Sequence, residues 1–139
     1  MAASDIEVAI AGLEGHTLSL ARNGERLISD KRGISAMMEY IAVGEDLNGF
    51  AVADIIVGKA AAMLFVKAGI KEVYARTLSV GGKETLERYG IKYSYSHITD
   101  RIVNRRGDGA CPMESAVKDI DDAEEGYIAL KNAFLKICG

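Results

Sequence analysis

The most specific local signal in the chain is the run Asn104-Arg105-Arg106-Gly107-Asp108-Gly109-Ala110-Cys111-Pro112-Met113-Glu114. Pro112 is the only proline and suits the first turn of a helix, which makes Cys111 the N-cap and Glu114 the third residue in. A sulfur at that point faces unpaired backbone N–H groups and the positive end of the helix dipole, with Arg105 and Arg106 close in sequence. These influences favour the thiolate, so Cys111 is a candidate nucleophile, with Asn104 and Arg105 as candidate ligand-holding groups. Against that stands a plainer reading, in which Cys111 is a small buried hydrophobe and Glu114 a capping carboxylate.

A second signal is Asp54-Ile55-Ile56-Val57-Gly58-Lys59-Ala60-Ala61-Ala62. An unpaired ammonium buried among these apolar residues would cost several kcal/mol, roughly, so Lys59 must snorkel, pair with a carboxylate or face a ligand cavity. Glycine costs about 1 kcal/mol relative to alanine inside a helix, so Gly58 points to a close approach to the backbone. Gly58-Lys59-Ala60 is not a phosphate loop. That motif's first glycine falls at position 53, which is Ala53, and no Ser or Thr follows Lys59.

Other candidates carry less. His16 and His97 start no metal-binding pattern, and Asp119, Asp121, Asp122, Glu124 and Glu125 read best as a capped, solvated helix start. Tyr93 and Tyr95 alternate on one strand face, which makes them sheet side chains before stacking platforms.

The elements that must position these groups follow from pattern. Ser4 and Glu7 form a capping box ahead of Ile6, Ile10 and Leu13 at helical spacing. Residues 17–22 and 25–29 flank Asn23-Gly24, a hairpin that sets Leu20 opposite Leu27. Ile34, Met37 and Ile41 suit a second helix ending near Gly44. From Ile55 to Ala68 nearly every residue is apolar around the whole circumference, which predicts one buried helix with Asp54 as N-cap and Gly69 as its end. Asp54 and Gly58 would then share a face at its start. A strand over 71–77, a helix over 80–89, a strand over 91–97 and a short strand within 98–103 precede the helix at Pro112. Tyr127, Leu130, Phe134 and Ile137 stripe the last helix. The expected architecture is α/β: a three-layer α-β-α domain over residues 1–139, its mixed sheet covered by helices on both faces.

Composition bounds the function classes. The chain has 139 residues, 17 Lys and Arg against 20 Asp and Glu, and so a net charge of −3. No basic face is expected, and with it no general nucleic-acid binding. The longest apolar run, Ala60 to Val66, is far short of the roughly 18 residues a membrane span needs. The first basic side chain is Arg22, unlike the start of a signal peptide, and the two cysteines suit free thiols. A cytoplasmic protein is the expectation.

Together, the hairpin, the stretch from Asp54 to Ala68, the strand Glu72-Val73-Tyr74-Ala75-Arg76-Thr77 and the Gly-rich helix start after it resemble the cytidine deaminase-like fold. More narrowly, Ala53 to Ala62 together with Asn104-Arg105 and Cys111-Pro112-Met113-Glu114 resemble a small uncharacterised prokaryotic family of that fold. The resemblance implies a ligand site at the N-terminus of the buried helix. Deaminases place a zinc ligand with a neighbouring Glu there, and P-C-x-x-C at the start of the next core helix. This chain has neither: the first position reads Asp54-Ile55-Ile56-Val57-Gly58-Lys59 and the second Thr77-Leu78-Ser79-Val80-Gly81-Gly82-Lys83-Glu84. No metal and no other cofactor is therefore expected.

Three functions compete on these residues. In the first, a zinc-free enzyme uses Cys111 as nucleophile, Lys59 with Asp54 or Glu114 to move protons, and Asn104, Arg105 and Gly58 to hold a small anionic or nucleotide-like ligand. In the second, a non-catalytic module binds such a ligand in the same pocket. In the third, the same polar residues form a structural network, in a protein that admits self-association. Convergence of Asp54, Lys59, Asn104, Arg105, Cys111 and Glu114 on one pocket is the shared expectation of the first two.

Overall fold

A computed structural model describes residues 3–103 and 111–138, with side chains through residue 136. Helix α1 (Asp5–Leu13) begins with the expected capping box: the Ser4 hydroxyl accepts from the Glu7 backbone N–H while Glu7 reaches back to the Ser4 N–H. Strands β1 (Leu18–Arg22) and β2 (Glu25–Ser29) form the hairpin with Leu20 opposite Leu27. Asn23 and Gly24 turn it at φ 47° and 89°, a left-handed pair that Asn-Gly adopts readily. After α2 (Ser35–Ala42) come β3 (Ala51–Val57), α3 (Lys59–Ala68), β4 (Glu72–Ser79), α4 (Val80–Arg88) and β5 (Lys92–Thr99), followed by α5 (Pro112–Val117) and α6 (Ala123–Cys138).

The five strands lie in the order β2-β1-β3-β4-β5. β1 is antiparallel to both neighbours, whereas β3, β4 and β5 run parallel, so the sheet is mixed, as expected. Two successive crossovers in one direction put α3 and α4 on the same face. There Met63, Leu64 and Phe65 of α3 are fully buried against Val52, Val73 and Ala75 of the sheet, with Met37 of α2, Leu86 of α4, Val117 of α5 and Leu130 of α6 completing the main core. Each such large side chain contributes roughly 1.5–3 kcal/mol when fully buried. Among the described residues the opposite face carries only α1, whose Ala9 and Leu13 pack on Ala21 and Ala53. The three layers are thus unequal, with one helix beneath the sheet and five above. Among the described residues no helix is long and apolar enough to cross a membrane.

One expected element divides in two. The apolar run predicted as a single helix from Ile55 is strand through Val57, and the helix starts only at Lys59. Ile55, Ile56 and Val57 are β-branched and favour the pleated conformation, and a strand in the interior of a sheet has the same continuous apolar character as a buried helix. Asp54 is therefore a strand residue and not a helix cap; the N-cap is Gly58. Gly69 does end the helix, at φ 80°. The short strand expected within 98–103 is instead the last part of β5, to Thr99, followed by an isolated bridge at Val103.

Adjacent glycines at the start of α4 differ in what surrounds them. A Cβ on Gly82 would lie 2.8 Å from the Val57 carbonyl oxygen and 3.1 Å from the Gly58 carbonyl carbon, both backbone atoms that cannot move aside. A Cβ on Gly81 would meet only Lys59 Cβ at 3.5 Å and Ser79 Oγ at 3.9 Å, ordinary contacts. Gly82→Ala should lower stability by about 1–3 kcal/mol despite the better helix former, while Gly81→Ala should be neutral or stabilising by up to about 1 kcal/mol. Urea denaturation of the two variants checks this, and equal effects would contradict the packing described.

Candidate functional site

The polar centre of the molecule is the start of α3. A helix leaves its first N–H groups without intrahelical partners, and Gly58 has no side chain to offer them. The partner comes from α5: Glu114 Oε1 accepts from the Lys59 N–H and Oε2 from the Ala60 N–H, both at 2.8 Å. One carboxylate thus satisfies two orphan donors at the positive end of the helix dipole. Burial pushes the Glu114 carboxyl above its ordinary value, while the N–H groups of Ala60 and Lys59 and the Lys59 charge pull it back. The same contact explains Gly58. A Cβ there would overlap Glu114 Oε1 and lie 2.8 Å from Ile102 Cγ1, so the close approach is made by the protein's own carboxylate.

Lys59 returns the connection. Its Nζ donates to the Lys118 carbonyl at 3.0 Å, at the C-terminal end of α5, and lies 3.8 Å from Asp121. Its side chain is 18% exposed and points to this junction; it does not line the neighbouring cavity. Each helix therefore answers the unpaired end of the other.

That cavity, of about 860 Å³, opens beside the clasp. Its floor is the end of β3, Asp54, Ile55 and Ile56; Gly58, Ala60 and Ala61 of α3 form one side, and Cys111 to Glu114 another. Arg32, Ser35 and Thr17 border it from the hairpin and α2. The pairing of β1 with β3 stops at Asp54, so β3 runs on alone on that side. Asp54 stands at the start of this overhang, where burial pushes its carboxyl up to about 7 against the opposing pull of the Ile55 and Ile56 backbone N–H groups.

Cys111 takes the N-cap position of α5, as its proline neighbour predicts, and its thiol is half-buried in the cavity wall, although Sγ makes no capping hydrogen bond. Of the sequence candidates, Asp54, Gly58, Cys111 and Glu114 thus border one cavity, and Lys59 braces its wall from behind. Asn104 and Arg105 lie outside the described residues. Arg32 and Thr17 gave no signal in sequence, since an Arg and a Thr in turns match no motif; only the fold brings them to β3.

A deaminase zinc does not fit here. Among the described residues the carboxylate at the start of α3 is Glu114, both of whose oxygens hold backbone N–H groups, and its neighbour is the cation Lys59. At the start of α4 stand Ser79 and two glycines. Among the described residues no group of three His, Cys, Asp or Glu side chains is arranged to hold a metal ion.

The fold and the cavity define an α/β protein with a mixed five-stranded sheet and a pocket at the C-terminal end of a central strand. The chain belongs to the TM1506 family, "Domain of unknown function (DUF1893)", which it matches over residues 12–134. The crystal structure of a DUF1893 family protein (TM1506) from Thermotoga maritima superposes with a TM-score of 0.80 at 24% identity, covering 98% of this chain and 92% of that one. A diaminohydroxyphosphoribosylaminopyrimidine deaminase/5-amino-6-(5-phosphoribosylamino)uracil reductase from Thermotoga maritima gives 0.45 at 20% identity, over 66% of this chain and 34% of its own. The dCMP deaminase of cyanophage S-TIM5, in apo form, gives 0.46 at 13% identity, over 68% and 93%. Comparison with curated proteins gave no significant match.

Two expectations follow from the buried carboxylates. Glu114→Ala leaves two N–H groups without an acceptor and should lower stability by about 2–4 kcal/mol, with Glu114→Gln, which keeps one oxygen, in between. Denaturation curves within about 0.5 kcal/mol of wild type for both would refute the clasp. For Asp54 the sign runs as for any acid whose proton is held more tightly in the folded chain. The unfolded side chain ionises near 3.8 and the folded one near 7, so the folded protein holds more protons between these values and its stability falls as pH rises through that window. Stability measured from pH 4 to 8 should therefore decline in the wild type relative to Asp54→Asn, by on the order of 2–4 kcal/mol, and a pH-independent difference would contradict it.

Proposed function

We propose that the chain is a ligand-binding protein whose cavity takes a small anionic, nucleotide-like molecule, with Asp54 reading its heterocyclic edge, Arg32 its negative charge and the Cys111 thiol beside it. The observation that carries this reading is the Asp54 carboxyl in the floor of a largely apolar cavity. A carboxyl raised to about 7 exists in both forms near neutrality; its neutral form offers an O–H donor beside a C=O acceptor, complementary to the paired donor and acceptor edge of a heterocycle. For stability alone such a group is a cost, and perturbed carboxyls of this kind concentrate at sites that use them. The walls from Ile34, Ile55, Ala61, Met113 and Phe134 suit the faces of a flat ring.

The start of α3 is not where the ligand's anion goes in this reading, because Glu114 already fills that place. Arg32, exposed at the rim, takes that role. Glu114 and Lys59 act as positioning residues, holding α5 as the cavity wall. A second reading, favoured by the placement of Cys111, makes the thiol a nucleophile toward the bound molecule, with Asn104 and Arg105 steadying its anionic group.

The test is binding of the four nucleoside 5′-monophosphates, followed by thermal unfolding and calorimetry. At a hundredfold excess over Kd, binding stabilises by about 2.7 kcal/mol, a shift of several degrees. At least one monophosphate should do this, with affinity at least about tenfold lower in Asp54→Asn and Arg32→Ala, and should slow iodoacetamide labelling of Cys111. No stabilisation at millimolar concentration, or binding indifferent to both substitutions, would overturn the proposal.

A further inference from the structure

The two edges of the sheet are built differently. β2 is five residues long and opens with Glu25 and Arg26, both exposed, and charges of this kind discourage a further strand from adding to an edge. β5, at the other end of the strand order, runs for eight residues, Lys92-Tyr93-Ser94-Tyr95-Ser96-His97-Ile98-Thr99, with Lys92 its one Lys, Arg, Asp or Glu and no proline. Six of the eight are exposed, among them Tyr95 at 40% and Ile98 at 46%. Among the described residues no strand lies on its outer side, so over about 26 Å a row of backbone N–H and C=O groups faces outward.

An antiparallel copy of β5 itself fits this edge. A two-fold axis perpendicular to the sheet keeps each face of one copy level with the same face of the other, and an axis through Ser96 respects that alternation along the whole strand. Tyr95 then stands opposite His97 of the second copy, Ser94 opposite Ile98, Tyr93 opposite Thr99, and Lys92 opposite Asp100. Lys92 and Asp100 are both exposed, and the Lys92 ammonium reaches its own Glu72 only at 3.9 Å. The pairing thus closes with an opposite-charge pair at each end and sets an aromatic pair on each side of the axis, both favourable across strands. Moving the axis to Tyr95 would set Lys92 opposite Ile98 and lose both ion pairs, so charge selects the register. The strand is also prepared for a partner. The Tyr93 and Tyr95 rings stack with centroids 6.4 Å apart, the Tyr93 hydroxyl donates to Glu87 of α4, and the Ser96 hydroxyl is bonded to that of Tyr74, so these side chains are already held by their own chain.

We propose that β5 is a self-association edge, through which two copies of this chain join their sheets antiparallel about a two-fold axis at Ser96 to make one sheet of ten strands. β4 separates β5 from β3, and the inference stands independently of the reading of the cavity.

Sedimentation velocity of the full chain, from micromolar to millimolar concentration, tests it. The wild type should form a species of twice the mass of one chain. Ile98→Lys, which sets a charge on the exposed edge, should leave the chain monomeric, with circular dichroism confirming its fold. Lys92→Asp or Asp100→Lys alone, each placing like charges opposite one another, should raise the dissociation constant at least about tenfold, and the double exchange Lys92→Asp/Asp100→Lys should bring it back to within about threefold of wild type. A wild type that stays monomeric throughout overturns the proposal. A dimer indifferent to Ile98→Lys uses another surface and also overturns it. A dimer that Ile98→Lys disrupts but that the double exchange does not rescue refutes the register, and the proposal with it.

Discussion

Two backbone N–H groups at the first turn of α3 have to be answered inside the protein, and the answer comes from 55 residues further along the chain. Most helices satisfy this need with the side chain just before them. Here the preceding residue is Gly58, and the acceptor is a carboxylate on a different helix. Much follows from that substitution of a distant group for a local one. Position 58 has to lack a side chain, α5 has to lie across the end of α3, and Lys59 becomes free to hold the opposite end of α5 through the Lys118 carbonyl. The wall of the cavity that contains Cys111 is thereby fixed to the central helix.

The cavity itself comes from a mismatch in strand lengths. β1 stops pairing at Asp54 and β3 continues to Val57, so the sheet has an unfinished edge just where the first crossover leaves it. Pockets in open α/β sheets tend to form outside the carboxyl ends of their strands, where neighbouring connections diverge. In this chain the divergence lies between a hairpin on one side and a parallel crossover on the other. Asp54 stands where that pairing ends, and burial there holds its carboxyl above the ordinary carboxylate range.

Local features were legible in the sequence because their causes are local. The Ser4 and Glu7 capping box, the Asn23-Gly24 hairpin with its Leu20 and Leu27 pair, and the helix opening at Cys111-Pro112 each depend on residues a few positions apart. The division at Gly58 was not legible, since an apolar run buried on every side has no periodicity to separate strand from helix. Nor could spacing show that Glu114 caps α3 in place of its own helix alone, or that Arg32 borders β3; both are products of topology. The suspicion attached to Gly58 was sound in its physics, a backbone closely approached, although the group that approaches it belongs to the protein.

The pairing of Gly58 with Glu114 also constrains how this scaffold can vary. Any residue with a Cβ at position 58 collides with the carboxylate, and any loss of the carboxylate strands two donors, so neither position can change first without a penalty. A lineage that set out to place a metal ligand at the head of this helix would have to cross that valley with two coordinated replacements. The clasp therefore acts as a mutational ratchet: once in place, neither half of it can be exchanged without the other.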